Sequence, residues 1–419
     1  MKKLKSLFSA KKIAVYLICF LLILTLPNID KPAMSQTEAI VTMMCVDKDG
    51  DKIKLSSTVL TPGQDKQANM QVFNGEGATV GEAVDSIALA LGKEMSFAQC
   101  EIMALGDNLC DSGVMPILDY LTRTKKVGRN AILINCSGDI SDFSQAVIDL
   151  SREKNLKLSD IINYDKRYIL AEESNIELFY IGYFSDIGLG IMPQIKVTSD
   201  KEGNAIEIGS GSSSGSGGSG SSGGSDSGSS SSVGASSKKY IINDGTTNVF
   251  KRGKRDLLLE PEMIKKLNLF LDINQKGNVL IKDITDELYD HATVVVDLLD
   301  KRIDIRVKFD GDTPKYNIKM DLTVSVEEVI DYHPDRDMLI RNQEYLTDTL
   351  VKRIEEHIIS DMKSMVTYCQ DNEVDLIDVY KHFYRRENKK WKTLLEQTGK
   401  EKYLDSVEFD YEVKVFSPY

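Results

Sequence analysis

Residues 79–106, TVGEAVDSIALALGKEMSFAQCEIMALG, hold a helix and a strand in one short stretch and so decide the class of fold. Thr79 and Glu82 have the spacing of a capping box, in which the threonine hydroxyl accepts a backbone N–H of the first turn and the glutamate reaches back to the N-terminus. Val80, Val84, Ile87, Ala88 and Leu91 recur along one helical face, and Gly92 supplies the stop. The apolar run Phe97–Leu105 that follows has the length of a strand. A one-faced helix directly beside a strand predicts helices packed on sheets.

The same pattern extends in both directions. Upstream, Ala39–Val46 and Lys52–Leu60 read as strands joined by DKDGD at 47–51. Those residues resemble a calcium loop, but the glycine falls at the fourth position and the twelfth is Thr58, which offers no bidentate carboxylate. The turn of a β-hairpin is the reading that fits. Downstream lie a helix (Val114–Leu121), a strand (Ala131–Cys136) and a helix over Ser141–Ser151 with Phe143, Ala146, Val147 and Leu150 on one side. Further on, Glu260 and Pro261 open a short helix, with proline where its missing N–H matters least. Strand patterns cover about 278–284, 292–309 and 316–328. A long helical stripe runs from Asp337 to about Asp371 through Leu339, Leu346, Leu350, Ile354, Ile358, Met362, Met365 and Cys369. Shorter helices over Asp375–Tyr384 and Lys389–Gln397 precede a last strand, where Val407, Phe409, Tyr411, Val413 and Val415 alternate with charged residues. The expected class is α+β, with several α+β units built from antiparallel sheets and packed helices.

Residues 208–237 are almost wholly Gly and Ser, a composition that cannot bury apolar surface. They are expected to be a disordered linker between an N-terminal domain, 36–207, and a C-terminal region, 238–419, the latter starting with a small segment to about 285. Chance matches to G-x-G-x-x-G (Gly215, Gly217, Gly220) and G-x-S-x-G (Gly211, Ser213, Gly215) fall inside this tract. Neither has the strand and helix that such motifs need around them.

The chain begins with a cationic stretch, Lys2, Lys3, Lys5, Lys11 and Lys12, followed by an apolar run from Ile13 to Leu26. This is the order of a secretory signal sequence. The run covers about 21 Å as a helix, short of the ~30 Å hydrocarbon core. Residues 1–35 are therefore expected to be a cleaved signal sequence or a short membrane anchor, with cleavage after Ser35 as the alternative to retention, and the rest of the chain outside the cytoplasm.

Composition narrows the function. A net charge of −12 over 419 residues excludes a phosphate-binding surface of the kind nucleic acids require. Cys19, Cys45, Cys100, Cys110, Cys136 and Cys369 show no CxxC spacing and read mainly as buried free thiols, with Cys100–Cys110 left open as a pair. His291, His333, His357 and His382 are scattered without metal spacing. Asp335 and Asp337, beside Arg336, are expected at the start of the long helix, where acids complement the dipole. No catalytic, cofactor or metal residue is assigned. One group, Tyr380, Tyr384, Arg385 and Trp391, with His382 and Arg386 nearby, is a candidate protein interface; the competing reading is that Trp391 closes the C-terminal core.

Several segments, in this order, resemble the Ger(x)C family, the C subunits of spore-germination nutrient receptors. AIVTMMCVDKDGDKIKLSSTVLTP (39–62) is similar to that family's opening strands, and GEGATVGEAVDSIALALGKEMSFAQCEIMALGDNL (75–109) to its G-x-T-x-x-E-A helix and following strand, with Cys100 where histidine is usual. LDYLTRTKKVGRNAILINCSG (118–138) resembles its "LD-x-L-x-R" helix and strand. TTNVFKRGKRDLLLEPEM (246–263) carries Phe250, Lys251 and Lys254 of a G-T-x-x-F-K segment, and VDLIDVYKHFYRRENKKWK (374–392) carries Asp375, Arg385 and Trp391 of its closing motif. Two features depart from the family pattern. No cysteine for lipid attachment lies between Leu26 and Cys45, and the Gly/Ser tract is an insertion. The resemblance implies a non-catalytic subunit of a germinant receptor on the outer face of the inner spore membrane, partnered by a polytopic membrane subunit and a membrane-anchored one. An exported protein binding a solute or an envelope polymer, with the same fold outside germination, is the alternative.

Overall fold

The computed structural model describes residues 38–62, 68–124, 127–167, 174–198, 206–208, 239–271, 277–332, 345–400 and 402–418. The expectations for 1–35 and for the Gly/Ser tract lie outside the described residues. Among those described, eleven strands form one sheet and four form a second.

The large sheet starts with β1 (Glu38–Asp49), β2 (Lys52–Pro62) and β3 (Ala68–Gly77), paired antiparallel in sequence order. The β1–β2 turn is the expected tight hairpin, with Asp49 opposite Lys52 and Gly50 in the left-handed region. Helix α1 (Val80–Leu91) begins where the capping box predicts: the Thr79 hydroxyl accepts the Glu82 N–H, and the Glu82 carboxylate accepts the Ala78 N–H. Gly92 ends it in the left-handed conformation. The strand expected over 97–105 is shorter and split into β4 (Glu94–Ser96) and β5 (Ile102–Gly106), both parallel to β1. Phe97 and Cys100 turn into the core between them.

Two short helices, α2 (Asp107–Ser112) and α3 (Met115–Arg123), lead to β6 (Ile132–Ser137), parallel to β5. After α4 (Ile140–Lys154), α5 (Leu158–Arg167) and α6 (Ile176–Phe184), strand β7 (Leu189–Thr198) adds parallel to β6. The centre of this sheet, β1-β5-β6-β7, is thus parallel and covered on both faces, as parallel strands require. A bulge between Val41 and Met43 shifts the side-chain parity of β1. Val41, Met44 and Val46 therefore face α1, α3 and α6 together with Met103, Leu105 and Leu133, whereas Met43 and Cys45 face α4 and α5 with Ala104, Ile134 and Cys136. The five described cysteines are buried and free.

The Gly/Ser tract does not end this sheet. Strand β8 (Ile206–Ile208) pairs antiparallel with β9 (Lys239–Ile242), so the 30 residues between them close a hairpin. Strand β9 then pairs with β7, and β10 (Thr247–Lys251) with β7 and with β11 (Lys254–Leu259). The boundary expected at 238 thus falls inside a sheet. Composition marks where a chain cannot pack, but strand pairing passes through the backbone on either side of such a tract.

Helix α7 (Pro261–Asn268) connects to the second sheet. Here β12 (Gly277–Ile284), β13 (Tyr289–Asp310) and β14 (Thr313–Tyr332) form an antiparallel meander, and β15 (Glu408–Phe416) adds parallel to β14. Helix α8 spans Asp348–Asp371, and Thr347, whose hydroxyl accepts the Leu350 N–H, caps it. The stripe expected as one helix from Asp337 is interrupted at Thr347; the expected placement of Asp335 and Asp337 on a helix dipole lies outside the described residues. The stripe from Leu350 to Cys369 is buried as expected. Helices α9 (Val379–Arg386) and α10 (Asn388–Thr398) and a 3-10 turn (Tyr403–Ser406) complete this part. A single core cluster joins Val249 and Leu259 of the large sheet to Trp391, Met362 and Tyr316 of the second region, so the two parts share buried surface.

Candidate interaction site

Asp375, Arg385 and Trp391, dispersed in sequence, fall around one helix pair, and the structure separates their roles. Asp375 lies at the start of α9 and is buried. Its carboxylate accepts the N–H groups of Val379 at 2.9 Å and Tyr380 at 2.7 Å, and the Tyr403 hydroxyl at 2.6 Å. Burial outweighs these bonds and pushes its pKa up to about 6. Trp391 is fully buried, stacked on Phe383 at 4.6 Å and edge-on to Tyr403 at 5.2 Å. Its ring closes the C-terminal core, which is the competing reading of the sequence. Tyr380 is also buried, and its hydroxyl bonds to Asp186 in the α6–β7 connection, which also approaches Lys400 at 3.7 Å.

The surface of this group consists of Tyr384 and Arg385. Tyr384 stacks on Tyr380 at 5.7 Å, carries the Lys392 ammonium 5.7 Å above its ring and is 40% exposed. Arg385 and Arg386 are both exposed, but Arg386 is tied down by donating to the Ile305 carbonyl at 2.6 Å. His382 packs edge-on against Tyr316 at 5.7 Å, and burial holds its pKa below the ordinary histidine value. An exposed tyrosine and arginine on a helix fixed from behind by a buried tryptophan are groups that anchor protein contacts.

A second polar constellation sits at the C-terminal ends of β5 and β6, and no single window of sequence contains it. Arg255 of β11 donates to Asp107 at 2.6 Å and to Asp111 at 2.7 Å. Asp107 accepts the Ser137 hydroxyl at 2.9 Å, and Asn135 bridges the Leu105 carbonyl and the Asn248 amide at 2.8 and 2.9 Å. Asp47 accepts the Leu109 N–H at 2.9 Å, and a Cβ on Gly106 would stand 2.2 Å from its carboxyl carbon, so only glycine fits there. Burial, with Asp107 nearby, holds the Asp47 carboxyl above its ordinary pKa. Desolvation opposes the Arg255 charge, but the bonds to Asp111 and Asp107 prevail and raise its pKa further. These groups satisfy one another and tie β10 and β11, which follow the Gly/Ser tract, to the strands before it. The FKRGK turn adds to this: Arg252 and Gly253 both have positive φ, the Gly253 carbonyl accepts the Val114 N–H, and a Cβ on Gly253 would lie 2.6 Å from the Met115 side chain.

A groove of about 840 Å³ lies between α7, α8 and the β12–β13 edge. Within it Lys266 and His357 approach Asp361 at 3.7 and 3.5 Å, and the Asn278 amide donates to Glu327 at 2.6 Å. The space beside Asp375 and Asp186 is about 60 Å³, room for water and nothing larger. Among the described residues, no group of three or more His, Cys, Asp or Glu side chains is placed to hold a metal ion.

Residues 35–197 match the family described as "Spore germination protein N-terminal domain", and residues 246–416 the family "Spore germination B3/GerAC like, C-terminal". The unmatched interval between them contains the Gly/Ser tract. The fold is similar to that in "Crystal Structure of the GerBC protein", with a TM-score of 0.51 and 14% identity over 90% of this chain and 97% of that one. No protein of curated function matches the sequence. The order of motifs, the two domain matches and the shared fold agree, and the chain belongs to the Ger(x)C family of germinant-receptor C subunits.

Proposed function

We propose that this subunit acts without catalysis, as an outward-facing, membrane-associated component of the receptor that works through contacts with a polytopic membrane subunit and a membrane-anchored one. The observation that carries the reading is the division within the C-terminal motif. Asp375 and Trp391 are spent on the core, and they present Tyr384 and Arg385 on a rigid helix at the surface. The polar clusters support the same reading, since their donors and acceptors are engaged with each other instead of converging on an open pocket. The N-terminal run, lysines followed by Ile13–Leu26, supplies the route to the membrane and the outward orientation.

The test is genetic and biochemical. Spores lacking the gene should form normally and lose the response to the nutrients read by their receptor. A chain carrying Tyr384→Ala and Arg385→Ala should reach the spore membrane folded and fail to restore that response. Full restoration by the double variant removes this patch as the contact; a nutrient response unchanged in the deletion strain removes the receptor role itself.

A further inference from the structure

The three most exposed large hydrophobic side chains among the described residues are Leu89 at 83%, Phe184 at 73% and Ile181 at 63%. All three lie at one end of the large sheet. Strands β1, β5, β6 and β7 are parallel, so their first residues share an end. Helix α6, which carries Ile181 and Phe184, runs from Asn175, bridged to Ile132 at the start of β6, to the loop that enters β7. Leu89 lies just before β4, whose Glu94 pairs with Glu38 at the start of β1. This is also the end at which the chain arrives from residues 1–37. The eleven residues between Leu26 and Glu38 reach at most about 40 Å even when fully extended.

Helix α6 (IELFYIGYF) is apolar all round, although only Ile176 and Phe179 are buried. Leu178, Ile181 and Phe184 point outward, with Phe184 stacked on Tyr180 at 5.8 Å and edge-on to Tyr183 at 5.0 Å. Exposed arginines flank it. Arg129 accepts the Glu177 N–H through its carbonyl, and Arg252 donates its backbone N–H to Gly188. The nearby acids are Glu177, in the first turn, Asp119, which is paired with Arg123 at 2.7 Å, and Asp186, which is engaged by Tyr380 and Lys400; Glu38 and Glu94, both exposed, lie beside Leu89. Apolar side chains with tyrosines and arginines at their margin are the composition of a surface that enters a phospholipid interface. Helix α1 packs on β3 and α6 on β7, so Leu89 and Phe184 are separated by most of the β3-β2-β1-β5-β6-β7 run, whose strands are spaced about 4.8 Å apart. A planar bilayer meets such separated points together, whereas one bound peptide would not.

We propose that this end of the large sheet rests on the phospholipid surface, with Leu89, Ile181 and Phe184 in the acyl boundary and Arg129 and Arg252 at lipid phosphates. The inference rests on the reading that residues before Glu38 hold the chain at a membrane. Trp391 is the one tryptophan of the chain and is fully buried, so an added tryptophan reports alone to a lipid-borne quencher. The full chain is reconstituted in phosphatidylcholine–phosphatidylglycerol vesicles containing brominated phosphatidylcholine, as Leu89→Trp, Phe184→Trp and, at the opposite end of β1, Asp51→Trp. The first two should lose about half of the added emission and the third almost none. Equal quenching at all three sites, or none while the protein sediments with the vesicles, overturns the proposal and leaves the anchoring intact. Protein that stays in the supernatant overturns the anchoring and this inference with it. Shielding of the tryptophan at 184 only when the membrane-spanning subunits are co-reconstituted assigns the face to them and overturns the lipid assignment.

Discussion

Replacing the 30 residues between Ile208 and Lys239 by Asn-Gly should leave a folded protein that is more stable than the parent. The prediction follows from the β8–β9 pairing, Ile206 with Ile241, Glu207 with Tyr240 and Ile208 with Lys239, which makes the tract a loop closing a hairpin. Two-residue Asn-Gly turns match the twist of antiparallel strands. Shortening the connection from 30 residues to 2 lowers the closure entropy of an unstructured loop by (3/2)RT ln 15, about 2.4 kcal/mol as an upper figure, because very short loops depart from the logarithmic law. Urea unfolding should therefore show a higher midpoint at unchanged m, and heating a Tm raised by a few degrees. The companion experiment is a nick beside Lys238 in the intact chain. Strands β9, β10 and β11 remain paired in the large sheet, so both fragments should elute together without denaturant. A shortened protein that unfolds in two separate transitions, or nicked halves that separate on gel filtration, would refute the continuous sheet and restore two tethered lobes.

Three further outcomes follow from the buried groups. Trp391→Ala should cost about 3–5 kcal/mol in urea unfolding, since a fully buried ring stacked on Phe383 leaves a cavity, whereas Tyr384→Ala and Arg385→Ala should each change stability by about 0.5 kcal/mol or less. Asp375 keeps its proton up to about pH 6 when folded but loses it near its ordinary value when unfolded, so its contribution to stability is present at low pH and is lost as pH rises from about 4 to 6. Asp375→Asn should accordingly gain on the order of 3 kcal/mol relative to the parent between pH 4 and pH 7, and parallel stability curves for the two proteins would contradict this. Arg255→Met should lose about 1–3 kcal/mol, because Asp107 is left beside Asp47 without its cation while Asp111 is solvated; an unchanged urea midpoint would show the bridge to be dispensable.

Local chemistry was legible from sequence, and long-range pairing was not. The Thr79–Glu82 box, the Gly50 hairpin, the Pro261 helix start and the alternation over 407–415 each depend on residues within one turn or one strand, and each stands in the structure. The break in the long helical stripe at Thr347 left no mark because this residue caps the helix without a glutamate at the third position, the signature that marked Thr79. The parallel centre of the large sheet depends on β1, β5, β6 and β7 meeting across intervening helices, and the addition of β9–β11 depends on pairing across the Gly/Ser tract. Neither leaves a local mark. In the candidate site, the sequence brought Tyr380, Tyr384, Arg385 and Trp391 together but could not say which faced water. That depends on Tyr403 and Phe383 closing over Trp391 from the other side. The Arg255–Asp107–Asn135 network draws on three separate strands or helices, and charge type alone gave no reason to join them.

The central claim is that this chain works as a receptor subunit through protein contacts at a membrane, and capture of the tagged full chain from detergent-solubilised spore membranes tests it most directly. The account predicts recovery of a polytopic membrane protein and a second, membrane-anchored receptor subunit in fixed proportion with the chain, with recovery reduced by Tyr384→Ala and Arg385→Ala. Recovery of the folded chain alone under conditions that keep other receptor complexes intact would contradict it.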